Sequence, residues 1–246
     1  MARARDRLSA RGQKAGMNSL ADRIVAARLA GTELGDAPRL SLDEGYAVQD
    51  AVAAGLGALA GWKIGATNAG GQRFLGVTGP IFGRVPQSGL RQSGERVALG
   101  GERPAEAEPE ILFRLGADGT VAATHLGIEI NRPSRADVFE LGVGFIVADN
   151  AAHAALVIGP AIPLAALDMQ ETVTVSLIRD GETVSTGDAA AVLGHPLRAL
   201  EALSREHPLR EGDWIATGAM ARACPFAPGD TVVADFGALG RVVAHW

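Results

Sequence analysis

The chain has 246 residues, of which 47% are hydrophobic and 21% charged, and a formal net charge of −5. This balance excludes general disorder, and 32 glycines without a G-X-Y period exclude collagen. Mild acidity and only 4% aromatic residues argue against nucleic acid as a partner, and a single cysteine, Cys224, leaves no disulfide framework or cysteine-based zinc site.

Residues 1–16 carry Arg3, Arg5, Arg7, Arg11 and Lys14 against Asp6. They lack an apolar period and are expected to be a disordered basic extension. A cleaner pattern starts at Met17, and residues 17–60 are expected to form an N-terminal helical region. Leu20, Ile24 and Ala27 form one stripe of a helix over 18–30, with Gly31 as its stop. Ser41 and Glu44 read as a capping box opening a helix over 41–58. Residues 61–246 read as a β-rich body. Strands are expected at 61–66, 110–115, 127–130, 144–147 and 156–158. Residues 172–186 alternate at Val173, Val175 and Leu177, and Asp180-Gly181 supplies a type I′ hairpin turn. A helix over 196–205 and strands at 214–217, 231–236 and 241–244 complete an α+β chain. No apolar run reaches the ~18 residues of a membrane span, and a cytoplasmic protein is expected.

Common signatures of nucleophilic, nucleotide-binding and zincin chemistry are absent, and the five histidines do not cluster in sequence. Carboxylates are more informative. Glu108 and Glu110 are two apart at the head of an apolar run, so a strand projects both from one face. Such a pair is either a solvated acidic edge, as Pro109 favours, or half of a site for a hard divalent cation. Glu129 sits inside a short apolar strand, where a bare charge is costly. A metal compensates it, or a salt bridge to Arg132 or Arg135 does. Lys63, between Trp62 and Ile64, either snorkels or serves as a cationic binder or acid/base. Asp149-Asn150 ends an apolar run, as a site rim or a turn does.

Several segments then occur in an order that resembles one family. They are EGYAVQ, GWKIGATN, GPIFGRV, EPEILF, IEI, SR, VADNAA, LGHPL, LREGDWIATGAM and PGDTVVADFGALGRV. Together they resemble the 2-keto-4-pentenoate hydratases and the 2-oxo-hex-3-enedioate (4-oxalocrotonate) decarboxylases of the fumarylacetoacetate hydrolase superfamily, over nearly all of 17–246. The resemblance implies a mixed β-roll and makes 61–246 the catalytic domain. It also implies a Mg²⁺ or Mn²⁺ ion on Glu108, Glu110 and Glu129, with Lys63 as the active-site lysine. Glu44 resembles the family's lid acid, and Thr67, Asp149, Asn150 and Thr217 stand at substrate-binding positions. The implied ligand is a small 2-oxo acid in the catabolism of aromatic compounds, and the implied assembly is a homo-oligomer.

Three departures accompany the likeness. The stretch from Glu110 to Glu129 is shorter and lacks a helix. Ile81 replaces the acid of the hydratases' P-D-F-G segment, as in the decarboxylases. Asn131-Arg132-Pro133 precedes Ser134-Arg135 where an aspartate is usual. The expected activity is hydration of a 2-hydroxydienoate. Decarboxylation of a 2-oxo-enedioate, acylpyruvate-type hydrolysis and a non-catalytic 2-oxo acid binder are the alternatives.

Overall fold

In the computed structural model the described residues are 20–168 and 173–246. The expected basic extension 1–16, the start of the first helix and Thr172 lie outside them. The helices are α1 (residues 20–30), α2 (Leu42–Gly55), α3 (Ala69–Leu75), α4 (Val138–Leu141), α5 (Val143–Ala148) and α6 (Pro196–Glu206). The first six strands are β1 (Leu59–Gly65), β2 (Ile81–Pro86), β3 (Leu90–Gln92), β4 (Ala105–Leu115), β5 (Val121–Asn131) and β6 (His153–Ile162). The remainder are β7 (Thr174–Arg179), β8 (Glu182–Asp188), β9 (Trp214–Ala216), β10 (Cys224–Phe226), β11 (Thr231–Asp235) and β12 (Arg241–His245).

An eight-stranded mixed sheet runs β2-β1-β9-β4-β5-β6-β3, with β10 pairing to β4. A four-stranded sheet runs β12-β11-β7-β8. Ile111, Phe113, Ile128 and Val157 from the first sheet join Leu177, Val232 and Val242 from the second in one core, closed by Ala199 and Leu203 of α6. A separate cluster joins α1, α2 and α5 through Ile24, Val48, Val52 and Phe145. The alternation of Val173, Val175 and Leu177 is buried as the period-two pattern requires. The hairpin turns at Asp180 (φ 51°) and Gly181 (φ 87°), the two positive values of a type I′ turn. Helix α2 opens with the capping box: Glu44 N donates to Ser41 Oγ, and Ser41 N donates to Glu44 at 2.9 Å.

Two expectations are corrected. Residues 144–147 are not a strand but lie in helix α5. A short apolar run has no period that separates a strand from a buried helix. Here α5 packs on α2 with Phe145 through Ala148 buried. The approach needs a residue without a side chain. A Cβ on Gly144 would stand 2.1 Å from the Leu40 carbonyl oxygen. Gly144→Ala is expected to cost about 1–3 kcal/mol through overpacking, read as a lower Tm. An unchanged Tm would show that the α2–α5 contact can open freely.

Pro109 marks no sheet edge, because β4 is an interior strand. The Pro109 carbonyl accepts from Met220 N at 2.9 Å. A residue's N–H and C=O share a side of the strand, so the missing N–H faces the gap between β9 and β10 rather than β5. The β4–β5 ladder is therefore unbroken beside Glu108 and Glu110.

Candidate active site

Strand parity places Glu108 and Glu110 on one face of β4. The antiparallel register with β5 then sets Glu129 directly opposite Glu108. No helix separates β4 from β5, so this register follows from a direct hairpin. One carboxylate oxygen from each of the three residues falls within 4.8 Å of the other two.

Lys63 arrives from β1, two strands away, through Lys63↔Ala216 and Leu112↔Ala216. Its neighbour Gly61 (φ 153°) makes that pairing possible, since a Cβ there would lie 1.9 Å from the Trp214 carbonyl oxygen. Lys63 Nζ stands 3.3 Å from Glu129 Oε2 and donates to the Ala151 carbonyl at 3.0 Å. That carbonyl is presented by Asn150, Ala151 and Ala152, three successive left-handed residues with φ of 56°, 48° and 65°. Non-glycine residues adopt this region at a cost, so the turn is strained where it meets the lysine.

Each carboxylate is anchored through one oxygen. Asn131 Nδ2 donates to Glu108 Oε2 at 2.8 Å, and Gly218 N to Glu110 Oε2 at 2.9 Å. His153 Nδ1 meets Glu129 Oε1 at 2.6 Å. Glu110 Oε1 and Glu129 Oε2 are left buried without a hydrogen-bond partner. Three acids face one ammonium, so two negative charges are uncompensated when all three are ionised. Burial and the neighbouring Glu129 push Glu108 up to about 7 and Glu110 well above the usual range. Burial also pushes Glu129 upward, but Lys63 and the His153 hydrogen bond overcome it and hold it down to about 2. Burial works against the Lys63 charge, yet the three carboxylates hold its pKa above the ordinary value. Orphaned buried oxygens and two surplus charges fit a divalent cation with oxygen ligands.

Raised pKa values on Glu108 and Glu110 stabilise the metal-free fold below the ordinary 4.5, and this is lost as pH rises through about 7 and above. Glu129 has the opposite sign but titrates near 2, below this window. The metal-free Tm is therefore expected to fall between roughly pH 5 and 8, while divalent-metal affinity rises over the same range. Calorimetry and metal titration at several pH values check this. A pH-independent affinity would show that the carboxylates bind no protons in the metal-free state.

The other sequence candidates divide. Thr217 Oγ1 donates to the Ile111 carbonyl at 2.9 Å, and Thr67 packs against Gly218, beside the Glu110 anchor. Asp149 is buried in an ion pair with Arg28 at 2.8 Å and accepts from Ser134 N. Asn150 Oδ1 accepts from Arg84 N at 2.7 Å, and its Nδ2 donates to the Arg84 carbonyl at 2.8 Å. Both brace the strained turn that holds the Ala151 carbonyl on Lys63. Glu44 lies exposed at the start of α2, engaged with Ser41. Neither Arg132 nor Arg135 is the partner of Glu129: the first binds the Leu99 and Gly100 carbonyls and the second pairs with Asp137.

The sequence reading passed over Asn131, His153 and Gly218. Asn131 was within reach, being two residues from Glu129 on the same strand face. His153 and Gly218 carry no local signal.

Residues 134–245 match the model of the fumarylacetoacetate hydrolase C-terminal family. A Pseudomonas putida F1 protein named TodF product hydratase is 35% identical over 225 residues, 82% of this chain and 83% of its own. The 2-keto-4-pentenoate hydratase of Paraburkholderia xenovorans is 32% identical over 226 residues, 83% and 84% of the two chains. The chain belongs to the hydratase and decarboxylase family of the fumarylacetoacetate hydrolase superfamily. Its fold matches that of 4-oxalocrotonate decarboxylase from Pseudomonas putida G7, solved with magnesium and adipate, at a TM-score of 0.85 and 26% identity, over 94% of this chain and 97% of the other. As a member of this family the protein is an enzyme. Among the described residues no helix is long and apolar enough to cross a membrane.

Proposed function

We propose that the protein is a hydro-lyase of the 2-keto-4-pentenoate hydratase type, acting on a small 2-hydroxydienoate with Mg²⁺ or Mn²⁺ held by Glu108, Glu110 and Glu129. The observation that carries this reading is the triad of carboxylates, Glu110 and Glu129 buried and Glu108 half-buried, each anchored through one oxygen, with Lys63 on the same face. When bound, the divalent ion supplies a Lewis acid for the 2-oxo and carboxylate oxygens of the substrate. The protein's own residues do the rest. Lys63 Nζ meets the substrate's negative charge and is the atom through which a proton moves during ketonisation. Thr67 and Thr217 flank the Gly218 N–H that anchors Glu110. Water then adds across the conjugated double bond.

Glu44 is proposed as the acid that handles water, since Ile81 is apolar and buried. Glu44→Gln isolates this role, because glutamine also completes a capping box and so keeps the start of α2. Strongly depressed hydration with unchanged metal affinity and Tm is the expected result. Full hydration in the variant would remove Glu44 from the mechanism.

Decarboxylation is the second reading, favoured by the same Ile81. Loss of CO₂ needs an electron sink but no water-handling acid. Mass spectrometry of products formed with Mg²⁺ decides between them, using a 2-hydroxydienoate and an oxalocrotonate-type dicarboxylate in parallel. Gain of water by the first is expected. Loss of CO₂ from the second with no hydration of the first would overturn the proposal in favour of the decarboxylase.

A further inference from the structure

Beside the start of β6 lies a cavity of about 230 Å³. Arg28, Arg91, Arg103, Arg132 and His153 line it, and no carboxylate does among the described residues. Asp149 pairs with Arg28. Arg91, Arg103 and Arg132 have no acidic partner among the described residues, and their bonds go to backbone carbonyls instead. Carbonyl oxygens satisfy donors but do not cancel charge. Arg132 is only 6% exposed, and burial together with Arg103 and Arg28 lowers its pKa to about 10. His153, 1% exposed, spends Nδ1 on Glu129 and leaves Nε2 without a hydrogen-bond partner.

Folding has thus gathered four guanidinium groups around one small space and compensated one of them. Like charges so placed repel, and an anion is the cheapest remedy. Arginine's planar fork suits oxyanions that accept two hydrogen bonds at once. The volume lies below the ~300–1,000 Å³ of sites for drug-sized ligands, so the occupant is small.

We propose that this arginine-lined cavity is a second binding site, for a small multivalent oxyanion of the phosphate or short dicarboxylate class. The cavity shares His153 with the proposed metal centre, where it touches Glu129, but the four arginines belong to the cavity alone, so variants of each set test the two sites separately.

The test is calorimetric titration of the metal-loaded full chain with inorganic phosphate and, in a second arm, with malonate, at an ionic strength held constant with sodium chloride. Saturable binding of either probe is expected, with chloride failing to compete. The double variant Arg91→Gln, Arg103→Gln should weaken it at least tenfold, while Lys63→Met and the double variant Glu108→Gln, Glu110→Gln should retain it. The two arms show which oxyanion is preferred. Arg91→Gln alone is the second variant, since Arg91 bonds only the nearby Ser88 and Leu90 carbonyls and holds no distant segment. It should weaken binding severalfold with an unchanged circular dichroism spectrum. Absence of binding by both probes overturns the proposal. So does binding that survives the arginine changes, or that is lost with Lys63 or the two glutamates.

Discussion

Replacing Glu108 and Glu110 together by glutamine is expected to abolish divalent-metal binding and to reduce kcat/KM on the order of a thousandfold or more, since a lost Lewis acid withdraws several kcal/mol of transition-state stabilisation. Glutamine keeps the shape and can still accept from Asn131 and Gly218, so the β4–β5 hairpin should persist. Stability should move the other way. At neutral pH the metal-free wild type carries two acids, Glu110 buried and Glu108 half-buried, whose charged forms are disfavoured by loss of solvation and by Glu129. The amide variant has no such groups, so its Tm near pH 8 should exceed that of the EDTA-treated wild type. Activity and stability therefore separate in sign, which a merely unfolded variant cannot mimic. EDTA should silence the wild type, and Mg²⁺ or Mn²⁺ should restore it. A metal-free double variant with full activity would exclude the triad as a metal site.

Lys63→Met is expected to cost about 2–5 kcal/mol in kcat/KM, roughly 30- to 5,000-fold, as loss of one partner from a buried charge contact does. Methionine preserves the length and apolar stem of the side chain inside β1. What disappears is the ammonium 3.3 Å from Glu129 Oε2. In the metal-free protein Glu129 then loses its nearest cation, and destabilisation of about 3–5 kcal/mol is expected. Divalent metal should rescue that stability, and its affinity should hold or rise because a competing positive charge has gone. Turnover should stay low even so, since the substrate's own negative charge is still unmet. Unchanged kinetics would rule out a substrate contact by Lys63. Parallel losses of metal affinity and turnover would reduce its role to supporting the triad.

The sequence by itself determined the features whose physics is local. The capping box of Ser41 and Glu44, the Asp180-Gly181 turn and the shared face of Glu108 and Glu110 all follow from residues within a few positions of one another. The order of motifs also carried the family, because each motif marks one piece of a common scaffold. Other features depend on partners distant in the chain, and only the tertiary structure decided them. Glu129 became the third acid because β5 pairs with β4 in a register that a one-residue slip would have reversed, turning its carboxylate to the opposite face. Lys63 joined it because β9, more than a hundred residues later in the chain, inserts between β1 and β4. His153 came to Glu129 across the β5–β6 pair, and no spacing in the sequence announces that contact. The run at 144–147 chose a helix for the same reason: an apolar segment without a period takes the shape its neighbours can pack, and here the neighbour was α2. Side-chain direction is set within a strand, but strand order and register are set by which surfaces can be buried together, and a single chain segment does not contain that information.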